Sequence, residues 1–132
     1  MPRINPLSLD ETSAEVKISY NTHKNIYNAR ITNMKATLGH SLTAFKAYME
    51  WYPLYEEVKK ILGERLSPLF AWSISEASNC PLCSTYFRKV IIESGENPEH
   101  LTLTPDAQAI LDFGAVISQH QGKIPEQQYK AV

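Results

Sequence analysis

Apolar side chains in this chain recur every three or four residues, and the stretches that show this spacing begin and end at residues that start or stop helices. "DETSAEVKISYNTHKNIY" supplies capping residues followed by a mixed helix, and "NMKATLGHS" reads as a connection containing Gly39. Ser41 then caps "LTAFKAYMEWY", whose apolar side carries Leu42, Phe45, Met49 and Trp51 or Tyr52. Pro53 ends or kinks that helix and opens "PLYEEVKKILGE", with Gly63 near its end. Ser67 and Pro68 have the same cap-and-first-position form, and Asn79 with Pro81 marks a new start around Cys80. That helix runs through "LCSTYFRKVIIES" to Gly95. Thr104, Pro105 and Asp106 open the most regular helix, with Ala109, Ile110, Phe113, Val116 and Ile117 on one side and Gly122 as its stop. A last helix begins at Pro125. The helices are well punctuated and no convincing strand stands out, so the fold class is all-α: an extended arm over residues 1–12 and a single helical domain over 13–132.

Length and charge narrow the function classes. A chain of 132 residues can bury a core without disulfide support. Thirteen Lys and Arg against fourteen Asp and Glu are spread along it, which points to no nucleic-acid partner. "MPRINPLSLDET" lacks the apolar run of a signal peptide, and "LFAW" and "VII" are too short to cross a bilayer. The expectation is a soluble cytoplasmic protein without a membrane partner. Two Trp, seven Tyr and four Phe are ample for such a core, so part of this aromatic surface belongs either to a subunit interface or to a well-filled interior.

Candidate chemistry lies in "SNCPLCSTYF", where Cys80 and Cys83 are the only cysteines. In a reducing compartment a structural disulfide would not persist, and so small a loop restrains the unfolded chain little. If Asn79 caps the helix, Cys80 lies at or beside its first position and Cys83 one turn on, with both sulfurs on one side. Free N–H groups and the helix dipole favour a thiolate there. A dithiol of this kind can attack a peroxide or a disulfide and then close an internal disulfide. Two inert core cysteines are the bland alternative. A zinc site lacks a second CxxC, and His23, His40, His100 and His120 have no ligand spacing among themselves. A thioredoxin-like motif would need strands. No metal or other cofactor is called for.

Three segments, "MPRINPLSLDET", "NMKATLGHSLTAFKAYMEWY" and "SNCPLCSTYF", taken in this order, resemble the carboxymuconolactone decarboxylase-like, alkylhydroperoxidase D (AhpD-like) superfamily. The resemblance implies an AhpD-like helical bundle that assembles into trimers or larger homo-oligomers. It also implies a peroxide substrate and an external thiol reductant, with Cys83 attacking the peroxide and Cys80 resolving the product. Peroxidase members carry CxxCxxxH and a glutamate twelve residues before the first cysteine. Here those positions are Phe87 and Pro68, so both proton-relay groups are replaced. General-base assistance is typically worth about 10²–10⁴ in rate, and its loss lowers the expected peroxidase activity.

Glu76, His40 and Tyr86 are substitutes for the relay, each with a structural alternative: a solvated carboxylate, a loop histidine and a core aromatic. The decarboxylase activity of the superfamily does not use a cysteine pair, and no cluster of charged groups suited to a lactone acid stands out. The chain ends at "KIPEQQYKAV", where further helices of the family are expected. The leading expectation is an oxidoreductase cycling Cys80 and Cys83; a noncatalytic binding or assembly protein on the same scaffold, or a carboxymuconolactone decarboxylase-like enzyme, is the alternative.

Overall fold

A computed structural model describes residues 3–120 and 123–132, which form seven helices and no strand among the described residues. They are α1 (Ala14–Tyr27), α2 (Asn33–Leu38), α3 (Leu42–Met49), α4 (Trp51–Ala77), α5 (Pro81–Glu93), α6 (Pro105–Gln119) and α7 (Glu126–Tyr129). The expected all-α class is observed, and no helix among the described residues is long and apolar enough to cross a membrane. The chain divides into two compact units, Met1–Glu56 and Glu57–Val132.

In the first unit, hydroxyl caps start the helices. Ser13, Thr32 and Ser41 each accept a hydrogen bond from the backbone N–H three residues on, at the starts of α1, α2 and α3. The "NMKATLGHS" segment is therefore partly helical, where the sequence suggested only a connection. Its six-residue helix is too short for apolar periodicity to reveal, and Thr32 supplies the start signal. Val16, Tyr20, Phe45 and Met49 form the buried cluster, with Ile31, Leu38, Leu42 and Tyr52 packed around it. Burying side chains of this size contributes about 1.5–3 kcal/mol each.

The arm is tied down. The Leu7 N–H donates to the Ala36 carbonyl at 3.3 Å, and His40 Nε2 donates to the Asn5 carbonyl at 2.9 Å. Within the arm, Glu11 accepts from both the N–H and the hydroxyl of Ser8, and the Thr12 hydroxyl donates to the Ser8 carbonyl at 2.7 Å.

In the second unit, α4 is interrupted at Gly63, whose φ of 79° and ψ of 168° no helix accommodates. The helix restarts directly after this glycine. Ser67 and Pro68 consequently lie inside it, whereas the sequence placed the start there. Ser67 is no cap, since its hydroxyl donates back to the Gly63 carbonyl at 2.7 Å. Pro68 lies five residues after Gly63, inside the restarted segment, and without an N–H it cannot donate the i→i−4 bond to the Glu64 carbonyl.

Leu69, Ile91 and Leu111 bring α4, α5 and α6 together, flanked by Leu66, Trp72, Leu101, Leu103 and Ile110. At Gly114 the backbone of α6 approaches α4 so closely that an added Cβ would lie 2.7 Å from Phe70 Cε2 and 3.1 Å from Ile74 Cγ1. Thr104 caps α6 as expected, accepting from the Ala107 N–H at 3.2 Å. The stop expected at Gly122 lies outside the described residues. After α5, the 95–102 segment is held by Arg65, whose guanidinium makes two bonds to the Glu96 carboxylate and a third to the Thr102 carbonyl.

Candidate redox site

The turn between α4 and α5 places the two sulfurs. Asn79 adopts a left-handed backbone, φ 54°, which asparagine tolerates better than most residues. This reversal lets the Asn79 N–H bond the Glu76 carbonyl at 3.0 Å and the Cys80 N–H bond the Ser75 carbonyl at 2.9 Å. These two bonds close the C-terminus of α4 in a Schellman arrangement. Asn79 therefore terminates α4, and the N-cap of α5 is Cys80, where the sequence suggested Asn79. Pro81 occupies the first turn of α5, where its missing N–H costs nothing. The Cys80 carbonyl accepts from the Ser84 N–H at 2.9 Å, as a cap residue does.

Both cysteines are free and half-buried, and their sulfurs lie 2.7 Å apart. In the neutral dithiol the Cys80 S–H donates to Cys83 Sγ. On ionisation the roles reverse. The hydrogen bond from the Cys83 thiol, followed by backbone bonding from Cys83 and Leu82, holds the Cys80 thiol below its usual range. Burial pushes Cys83 up to about 11, with further contributions from its hydrogen bond to Cys80 and the Cys80 charge. The thiolate therefore resides on Cys80, and Cys83 keeps its proton.

This polarity is opposite to the roles that the family resemblance implies, in which Cys83 attacks first. The physical causes are the hydrogen bond from the Cys83 thiol and then the backbone N–H groups of the first helical turn, which favour the Cys80 thiolate, against the burial that disfavours ionisation of Cys83.

The substitutes for a proton relay are dispersed. Phe87, one turn after Cys83, is 6% exposed and belongs to the interior. Pro68 is buried within α4. Glu76 is exposed, and His40 is engaged with the Asn5 carbonyl in the other unit. Tyr86, for which a core position was the alternative, is instead 57% exposed and meets Phe87 edge-on. Among the described residues, the influences on the two thiols are each other, backbone N–H groups and burial, with no histidine, lysine or carboxylate contributing. No group of three or more His, Cys, Asp or Glu suited to a metal ion occurs among the described residues.

A second polar constellation lies in the first unit. Lys35, only 6% exposed, donates from Nζ to His23 Nε2 at 2.8 Å, to the Tyr52 hydroxyl at 2.8 Å and to the Arg30 carbonyl at 3.2 Å. For Nε2 to accept, the proton of His23 must sit on Nδ1, which is buried without a partner. Burial lowers the proton affinity of Lys35, and burial followed by the Lys35 charge lowers that of His23. His23 could be found from its place on the inward stripe with Val16 and Tyr20; a lone lysine in a six-residue helix carries no such signal.

No family model, curated protein or solved structure matches this chain.

Proposed function

We propose that the protein is a thiol-dependent oxidoreductase whose working group is the Cys80–Cys83 pair, alternating between dithiol and disulfide. The observation that carries this reading is the 2.7 Å approach of two free sulfurs at the start of α5. At that separation the two sulfurs are close to bonding distance, and the Schellman turn and the N-cap position fix the backbone at Cys80. The depressed proton affinity of Cys80 supports it further, since the thiolate is the nucleophilic form.

The resemblance to the alkylhydroperoxidase D superfamily supports the same chemistry and suggests a homo-oligomer working in a reducing, cytoplasmic compartment with an external thiol reductant. Ile18 and Ile26, two turns apart on α1 and 66% and 64% exposed, are apolar surface consistent with assembly. Sedimentation of the purified protein measures that assembly directly.

The function is tested by equilibrating reduced protein in buffers of graded thiol and disulfide ratio and counting the thiols left open to alkylation. The expected result is joint, reversible loss of both thiols, with a Cys80–Cys83 bridge in the peptide map. Two thiols that stay alkylatable in the most oxidising buffer would overturn the reading.

A further inference from the structure

We infer that the oxidant this site accepts is an organic disulfide, attacked by Cys80, with Cys83 as the resolving sulfur. The inference rests on the dithiol reading above and adds the substrate class and the order of attack.

The first argument is positional. Cys80 is the N-cap residue of α5, its sulfur lies 2.7 Å from that of Cys83, and its thiolate is favoured by the Cys83 thiol and then by the N–H groups of Cys83 and Leu82 in the first turn. Burial is the largest influence on Cys83 and a lesser one on Cys80, which makes Cys80 the sulfur nearer to solvent and to an arriving substrate.

The second argument concerns the leaving group. Attack on a hydroperoxide expels hydroxide or alkoxide, a far stronger base than a thiolate, so efficient cleavage needs a proton delivered at the reacting oxygen. The relay positions hold Phe87 and Pro68, and no titratable group other than the partner thiol acts on either sulfur among the described residues. Attack on a disulfide expels a thiolate, whose conjugate acid has a pKa of about 8.5, and needs no such donor.

The steps balance. The Cys80 thiolate forms a bond to one sulfur of R–S–S–R′, the S–S bond breaks, and R′–S⁻ leaves with the electron pair and is protonated by solvent. Forming the mixed disulfide removes the negative charge from Cys80, so the contribution of that charge to the high proton affinity of Cys83 disappears while burial remains. Cys83 then gives its proton to solvent and attacks Cys80 Sγ, the bond from Cys80 to R–S breaks, and R–S⁻ leaves with the electron pair and is protonated by solvent. The dithiol has lost two electrons and two protons; the substrate leaves as two thiols.

The experiment mixes the reduced full chain with glutathione disulfide or the neutral 2-hydroxyethyl disulfide, and separately with hydrogen peroxide. Acid-quenched samples are peptide-mapped, and each rate is referred to that of N-acetylcysteine with the same reagent. Cys83→Ser is expected to accumulate a mixed disulfide on Cys80, while Cys80→Ser reacts at Cys83 about tenfold more slowly or worse near neutral pH. The wild type is expected to pass through the Cys80 adduct to the internal bridge, so the result does not depend on the variants folding well.

Acceleration over N-acetylcysteine is expected to be larger with a disulfide than with peroxide. The two disulfides separate a site indifferent to charge from one that selects the anionic or the neutral reagent. Faster capture at Cys83, or a larger acceleration with peroxide, would overturn the inference. A Cys80 adduct that the wild type never resolves would overturn the dithiol cycle and leave the order of attack standing.

Discussion

The backbone N–H of Cys80 is bonded to the carbonyl of Ser75 at 2.9 Å, so the residue that begins α5 also completes the end of α4. One residue thereby joins two helix ends, and the cap position of its sulfur follows from the left-handed turn at Asn79. The redox reading depends on this turn more than on the spacing of the cysteines, because the spacing alone does not say which sulfur meets the N–H groups.

Asn79→Ala is expected to cost about 1 kcal/mol of stability in the second unit, since a Cβ without a compensating polar group is strained at φ 54°. Asn79→Gly is expected to be nearly neutral. Denaturant titration checks both, and the alanine variant is expected to form the Cys80–Cys83 bridge more slowly.

Phe87→His places an imidazole one turn after Cys83, at a position only 6% exposed. Stability is expected to fall by about 2–4 kcal/mol, as a packed ring is replaced by a smaller polar one. Where the protein stays folded, peroxide consumption is expected to rise tenfold or more through general-base assistance. Peroxide turnover beside a denaturation curve separates the two effects. An unchanged rate in folded protein would show that the missing relay is not what limits the peroxide reaction.

His23 predicts an acid limb in stability. Its proton affinity in the fold is below the ordinary value of 6.5, chiefly through burial and then through the charge of Lys35. As pH falls below 6.5 the unfolded chain takes up a proton that the folded chain refuses, so the first unit loses stability until the lower folded value is reached. The slope can reach about 1.4 kcal/mol per pH unit for this one proton. His23→Phe is expected to flatten the limb. Denaturation midpoints of both proteins between pH 7 and pH 5 measure it, and an equal slope in the variant would assign the effect to other groups.

Gly114→Ala is expected to destabilise the second unit by about 1–3 kcal/mol, because the new methyl group would lie 2.7 Å from the Phe70 ring unless α6 withdraws. Pairing it with Phe70→Leu, which empties part of that space, is expected to cost less than the sum of the single changes. A double-mutant cycle by thermal or denaturant unfolding reads the coupling.

The local codes of helix initiation were legible from residue order because they act over three or four positions. Ser13, Ser41 and Thr104 are caps with their own hydroxyls, and the reversal at Gly95, φ 91°, ends α5 where its glycine indicated. Ser67 with Pro68 failed as a start signal because Gly63, a few residues upstream, had already reset the backbone. Asn79 was identified as a boundary, but its φ of 54° made it the end of one helix and passed the cap to Cys80. Both departures have one cause: a competing backbone geometry nearby decides which of two adequate caps is used.

The presence of an all-helical chain with one dithiol was therefore written in residue types and spacings, which are local properties. The choice of Cys80 as the ionised sulfur and the burial of Lys35 against His23 and Tyr52 were decided by folding. Proton affinity depends on the distance to charges, open N–H groups and water, and those distances exist only after the helices have packed.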